Sequence, residues 1–355
     1  MGVRRLLERV RARQAEGIVA VPVRSEEPIG DATAFVPGEV YLEVRLRQMW
    51  LTNERELWRE YQPFGAVVTE FLRDGRRVSI PSVLGANELS RRLQVTAADD
   101  AIEVGNIRVA GPVPYEGDDV SVLLALFRTR TADWMARSLT VVEDVASAVG
   151  FTGLVATTAI ADALVRGVES LLDMNDVELR VGAYCAWSSP TGPDGTPASS
   201  TELRPTHYAI MRRPRVGTSA SDLDALRVKD GRLHRLDNGV LVPYSEHDFM
   251  LISVEARKNR DDVRGLPWYQ LWTQTLRLLF DGDLTGARQR WLQTAGAIFT
   301  DDLTRGHRQR LYEECELEFA AQLQRFAAAG MAFRGDDTPT TAPATADDVV
   351  RRVFG

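Results

Sequence analysis

The chain has 355 residues, more than the roughly 100–200 of one ordinary domain, so two modules or one elaborated module are expected. Hydrophobic residues make up 44% and charged residues 26%, the balance of a globular protein rather than of a disordered or membrane-embedded chain. A net charge of −7 without a long basic run argues against nucleic acid as a partner.

Of the basic residues only Lys229 and Lys258 are lysine, a bias that fits a GC-rich bacterial genome and that supplies guanidinium forks for ion-pair networks and interfaces. Cys185 and Cys315 lie far apart and no Cys-x-x-Cys occurs, so neither a disulfide framework nor a zinc ribbon is indicated, and a reducing, cytoplasmic compartment is expected.

Residues 1–16 read as a short amphipathic helix, with Leu6, Leu7 and Val10 on one face and too many charges for a secretory signal. From Gly17 to Arg130 the signal is mostly strand. Val40, Leu42, Val44 and Leu46 alternate with Glu43, Arg45 and Arg47, the pattern of a half-buried strand. The runs on either side of Arg73-Asp74-Gly75-Arg76 predict a hairpin, because Asp-Gly reaches the positive φ that tight hairpin turns need. Ile107–Val113 and Val120–Phe127 predict a second pair across Tyr115-Glu116-Gly117-Asp118.

Residues 131–175 change to helical spacing and predict a helical hairpin. Within it, 145–165 is rich in Ala, Gly and Val with Asp162 as its one charge, close to the length that spans a bilayer. Strands are expected at Val177–Trp187 and Leu203–Arg212, around an exposed Pro/Gly/Ser/Thr-rich loop from Ser188 to Thr201. Asp230-Gly231 marks another hairpin, and Val240–Val242 and Phe249–Val254 read as buried strands.

Three apolar stripes then predict a C-terminal helical bundle or layer. They are Trp268, Leu271, Trp272, Leu276, Leu279 and Phe280; Leu284, Ala287, Trp291, Leu292, Ala295, Ile298 and Phe299; and Leu311, Cys315, Phe319, Leu323 and Phe326. The expected fold class is α+β: two β-rich, mostly antiparallel regions alternating with a helical hairpin and a C-terminal three-helix layer. The expected organisation is helix 1–16, a module over 17–187, a second over 188–333, and a flexible tail over 334–355 that ends in a short helical turn.

The stretch from Tyr244 to Lys258 resembles the strand of metal-dependent nucleases of the PD-(D/E)xK type, where an acidic residue and a lysine share one strand face. Here alternation puts Glu255 with Arg257 and turns Lys258 away, leaving Asp248 and Glu255 as candidate metal ligands on opposite faces of an unbroken strand. His207, His234 and His247 lack zinc-ligand spacing, and His307 reads as surface. The acidic doublets suit helix capping. No nucleophile elbow, phosphate loop, dinucleotide fingerprint or His-Glu-x-x-His occurs, so no catalytic, cofactor or metal residue is assigned.

Aromatics beside arginines have the composition of an interface, and Arg47, Trp50, Arg55, Trp58 and Arg59 form one candidate docking surface. Val350, Val353 and Phe354 in the tail form another. The expectation is a non-catalytic protein-interaction or scaffold component of a bacterial cytoplasmic multiprotein system, with protein partners and no cofactor. The alternatives are a latent membrane-disrupting effector using 145–165, which meets membrane only on activation, and a metal-dependent hydrolase or nuclease around Asp248 and Glu255.

Overall fold

The structure is a computed structural model and describes residues 10–12, 14–15, 17–52, 55–56, 59–60, 62–73, 75–85, 106–129, 177–212 and 223–332. The helical hairpin expected over 131–175, the segment 145–165 within it and the tail 334–355 lie outside the described residues, as do Trp58, Val350, Val353 and Phe354. The chain is α+β and forms two compact units, Met1–Lys258 and Asn259–Gly355. No helix among the described residues is long and apolar enough to cross a membrane.

The first unit carries β1 (Ile18–Ser25), β2 (Tyr41–Trp50), β3 (Arg55–Glu56), β4 (Arg59–Glu60), β5 (Gln62–Arg73), β6 (Arg76–Gly85) and β7 (Ile107–Pro114). There follow β8 (Val120–Thr129), β9 (Val177–Trp187), β10 (Thr206–Arg212), β11 (Leu226–Lys229), β12 (Arg232–Asp237), β13 (Val240–Pro243) and β14 (Phe249–Arg257). An eight-stranded sheet has the order β13-β12-β11-β1-β10-β14-β2-β7 and a four-stranded sheet the order β6-β5-β8-β9. Strand β10 pairs with β1, and β14 joins β10 to β2, so residues beyond 188 complete the sheet begun by residues before it. The two modules expected on either side of 188 are therefore interleaved, and the division falls at Lys258.

The two sheets share one apolar core. Alternation sends Leu42, Val44 and Leu46 of β2 and Met250, Ile252, Val254 and Ala256 of β14 inward, to the cluster that also holds Val122, Leu124 and Leu126 of β8 and Val181 and Ala183 of β9. Cys185 belongs to this core, and burial pushes its thiol up to about 12, which keeps it from forming a thiolate.

The turn expected at Tyr115-Glu116-Gly117-Asp118 forms, but it does not close a hairpin: β7 lies on the edge of the large sheet beside β2, whereas β8 lies inside the small sheet between β5 and β9. The connection is held by the segment 35–40 instead. Tyr115 N donates to Val40 O at 2.9 Å, Gly38 N donates to Tyr115 O at 2.7 Å, and the Tyr115 ring stands edge-on to Phe35.

The expected hairpins at 73–76 and 230–231 form, with Gly75 at φ +68° and Asp230 and Gly231 at +52° and +72°. A further turn at Asn238-Gly239 takes the same left-handed pair of conformations and leads into β13. Strand β13 corrects the expectation of a buried Val240–Val242, since it is the edge of the sheet and Val240 is 63% exposed. An apolar run this short cannot by itself tell an edge from a centre, and Pro243, which has no N–H for a ladder, suits the edge.

The β11–β13 ribbon turns back over the outer face of the large sheet, where Leu233 N donates to the buried Gln48 side chain at 2.9 Å. Val228 and Leu233 of the ribbon meet Ala209, Met211, Phe249 and Leu251 of the sheet there in a second apolar cluster.

Gly111 on β7 has φ +85°, and a Cβ at that position would sit 2.3 Å from the carbonyl oxygen of Leu42. Gly111→Ala is expected to cost about 1–3 kcal/mol through strain at the β2–β7 pairing, read by urea unfolding. An unchanged midpoint would mean that this sheet edge yields without cost.

In the second unit Pro267 opens α1 (Pro267–Phe280), a place where its missing N–H costs nothing. Asp283 caps α2 (Leu284–Ile298) by accepting from Gly286 N, and α3 (Arg305–Ala332) follows. The buried faces are Trp268, Trp272, Thr275 and Leu279, then Ala287, Trp291, Thr294 and Ile298, then Leu311, Cys315, Phe319 and Leu323. Trp291 stacks on Phe319 and stands edge-on to Trp272.

These faces are narrower than the expected stripes, because Phe280, Leu284, Leu292 and Phe299 are exposed. Thr275 and Thr294 take core places, their hydroxyls 3.1 Å apart across the helices. His307, expected at the surface, is buried.

Candidate functional site

The polar residues of β2 and β14 meet on the outer face of the large sheet. Register sets Glu255 directly opposite Glu43, and their carboxylates are 0% and 1% exposed. Two like charges as direct cross-strand neighbours repel unless cations bridge them. Four arginines do so. Arg47 Nη2 donates to Glu255 Oε1 at 2.5 Å, and Arg257 donates to Glu255 Oε2 from Nη2 at 2.7 Å while its Nε lies 3.4 Å from Glu43 Oε2. Arg45 pairs closely with Glu43 and reaches Glu255 at 3.8 Å, and Arg108 approaches Glu43 at 3.5 Å.

Ser253, on the same face, accepts from Arg47 Nε at 2.9 Å and donates to Glu255 at 2.6 Å. Burial alone raises the Glu255 carboxyl, but the Ser253 hydroxyl, Arg47 and Arg257 outweigh it and hold the group below the usual carboxylate range. His207, the cross-strand neighbour of Ser253 on β10, is pushed down to about 4 by burial and by the charge of Arg47, so it is neutral at pH 7.

Asp248 belongs to a different set of contacts. Its Oδ1 accepts from Thr52 N at 2.6 Å and Thr52 Oγ1 at 2.7 Å, and its Oδ2 from Arg180 Nε at 2.7 Å. Arg180 also donates to Glu178, which pairs in turn with Arg128. Asp248, Glu178, Arg180 and His247 line a small cavity of about 250 Å³ that Glu255 does not reach, and His247 is bonded to the Tyr244 hydroxyl at 2.9 Å. The candidate metal ligands Asp248 and Glu255 are thus each satisfied by their own arginines. Among the described residues no group of three or more His, Cys, Asp or Glu side chains is placed to hold a metal ion.

The residues expected on a docking surface take separate places. Arg47 is part of the carboxylate cluster, and Trp50 packs against the apolar cluster under the β11–β13 ribbon. Arg55 and Arg59 stand in the short β3–β4 pairing, opposite Glu60 and Glu56.

A further concavity is built from residues to which the sequence reading gave no binding role. A cleft of about 560 Å³ opens where β5, β8 and β9 of the small sheet meet the turn 115–119 and the loop 188–201. Among the described residues Glu70, Asp118 and Asp119 give it three carboxylates, and Arg77 is the one basic side chain.

The chain matches no family model, no curated protein and no solved structure.

Glu70 accepts weakly from the Ser79 and Ser121 hydroxyls at 3.3 and 3.2 Å, and Arg77 stands 3.9 Å away and mostly in solvent. Asp119 accepts from Ser189 N at 3.0 Å, and Asp118 has no hydrogen-bond or ion-pair partner among the described residues. Tyr184 supplies an aromatic side chain to the wall, whereas the Trp187 ring turns inward onto Tyr208 in the core.

The loop along the rim, expected simply to be exposed, is tied down by Glu202. That carboxylate accepts from Thr191 N, Thr191 Oγ1 and Ala198 N at 3.1, 2.8 and 2.7 Å. These bonds hold it below the usual carboxylate range. The spacing of Glu70, Asp118 and Tyr184 along the chain carries no pattern, which is why three strands had to be assembled before the cleft existed.

Proposed function

We propose that the protein is a non-catalytic binding component that receives a cationic segment of a partner protein in the cleft of the small sheet. The observation that carries this reading is the cleft itself: among the described residues it sets three carboxylates against one exposed arginine, beside the Tyr184 ring, on a rim already held in place by Glu202. Carboxylates and ring faces both attract arginine and lysine side chains. A rim that needs no further ordering reduces the entropic cost of binding. The formal charge of −7 favours encounter with a basic partner. The absence of catalysis is supported by Asp248 and Glu255, whose carboxylates are each engaged by arginine and hydroxyl groups rather than turned toward a common cavity.

Titration with an unstructured peptide carrying several arginines and lysines is expected to saturate and to weaken as salt is raised. Asp118→Asn combined with Glu70→Gln is expected to weaken binding about tenfold, equivalent to about 1.4 kcal/mol. No saturable binding, or binding indifferent to both substitutions in a folded protein, would remove the proposal.

A further inference from the structure

The α1–α2 connection turns tightly through Asp281, Gly282 and Asp283, with Gly282 at φ +78° and Asp283 N donating to Leu278 O at 2.9 Å. That turn sets Phe280 and Leu284 at one end of the helical unit, where they are 62% and 50% exposed. Phe326 of α3 stands edge-on to Phe280 with ring centroids 6.2 Å apart, so α3 reaches the same end. Two exposed apolar side chains beside a half-buried ring make a patch that the three helices do not cover themselves.

The chain supplies a segment suited to it. Helix α3 continues from Phe326 only to Ala332, about 9 Å further at about 1.5 Å per residue, and so ends close to the patch. Residues 333–348 separate that end from Val349. An unstructured chain of this length spans about 20 Å, more than the gap it has to close. Beyond it Val349, Val350, Val353 and Phe354 recur at the spacing of one helix face.

Both signs of charge find counterparts. Asp281 and Asp283 lie in the turn between Phe280 and Leu284, while Arg277, Arg288 and Arg325 stand within about one helical turn of the patch residues in sequence. Asp283 gives one oxygen to the Gly286 N–H, and the side chains of Asp281, Arg277, Arg288 and Arg325 have no partner among the described residues. The segment carries Arg351 and Arg352 among its apolar residues, to meet the acidic turn, and Asp347 and Asp348 ahead of them, to meet the arginines.

We infer that the patch of Phe280, Leu284 and Phe326 is the docking site of this chain's own C-terminal segment, 347–355. Tethering makes the encounter intramolecular at a millimolar effective concentration, so a contact too small to hold a separate peptide suffices. Any partner of Val350, Val353 and Phe354 then competes with the patch. The site belongs to the helical unit and does not depend on the acidic cleft.

Amide hydrogen exchange of the full chain, read by mass spectrometry, is the test. Residues 349–354 are expected to exchange about fivefold or more slower than the same sequence in a free peptide, at every protein concentration. The double variant Phe280→Ser and Leu284→Ser, which alters exposed side chains and should leave circular dichroism unchanged, is expected to return them to the free-peptide rate. Phe354→Ser, which alters no described residue, is expected to speed exchange at 279–284 and keeps the site testable if the double variant does not fold. The inference is overturned if 349–354 exchange at the free-peptide rate, if the folded double variant keeps the protection, or if Phe354→Ser leaves 279–284 unchanged. Protection that grows with protein concentration overturns it as well, since the occupant is then a second copy.

Discussion

Replacing Glu255 by glutamine is expected to cost the first unit about 3–5 kcal/mol, because removing one partner of a buried ion cluster leaves the others uncompensated. Glu255 is fully buried and accepts from Arg47, Arg257 and Ser253. Glutamine keeps the size of the side chain but withdraws the charge, so Arg47 loses its carboxylate partner and Arg257 keeps only Glu43 and the nearby Asp31. Thermal unfolding should show a fall of roughly 10 °C for a unit of this size. The acid limb gives a second reading. The Glu255 carboxyl is held below its ordinary value of 4.5 in the folded chain, so its contribution is complete above that value and disappears as pH falls through the depressed one. The unsubstituted protein should therefore lose stability in that range more steeply than Glu255→Gln. Equal slopes and an unshifted midpoint would show that the cluster contributes nothing to folding.

That cluster also shows how far the sequence could be read. The alternation of Glu43, Arg45 and Arg47 with Val44 and Leu46 placed the charged residues on one face of β2, because a strand has period two and needs no tertiary information. The same rule put Glu255 beside Arg257 on β14, which the structure bears out. What no periodicity specifies is that β14 would insert between β10 and β2 and bring Glu255 opposite Glu43, more than two hundred residues earlier in the chain. Turn chemistry behaved the same way. Asp230-Gly231 identified a hairpin because the requirement for positive φ is local, whereas Tyr115–Asp118 marked a real turn whose two strands went to different sheets under the influence of Phe35 and Val40. The acidic cleft was illegible for the same reason, since Glu70, Asp118 and Tyr184 become neighbours only through strand order.

Trp291→Ala is expected to be as damaging to the second unit as Glu255→Gln is to the first, at about 3–5 kcal/mol, whereas Leu292→Ala next to it is expected to stay within about 0.5 kcal/mol. Sequence periodicity placed both residues on one apolar stripe, yet adjacent helical positions differ by about 100° in direction and only one can point into a narrow core. The Trp291 indole is enclosed by Trp272, Tyr312 and Phe319, so truncation removes ring contacts with three partners and leaves a cavity. Leu292 is 63% exposed and has little burial to lose. The two variants, followed by far-UV circular dichroism through a urea titration, test the packing of the bundle without reference to ligand. If they shift the transition equally, α2 does not present the face that buries Ala287, Trp291, Thr294 and Ile298, and the hydroxyl contact between Thr275 and Thr294 would have to be abandoned with it.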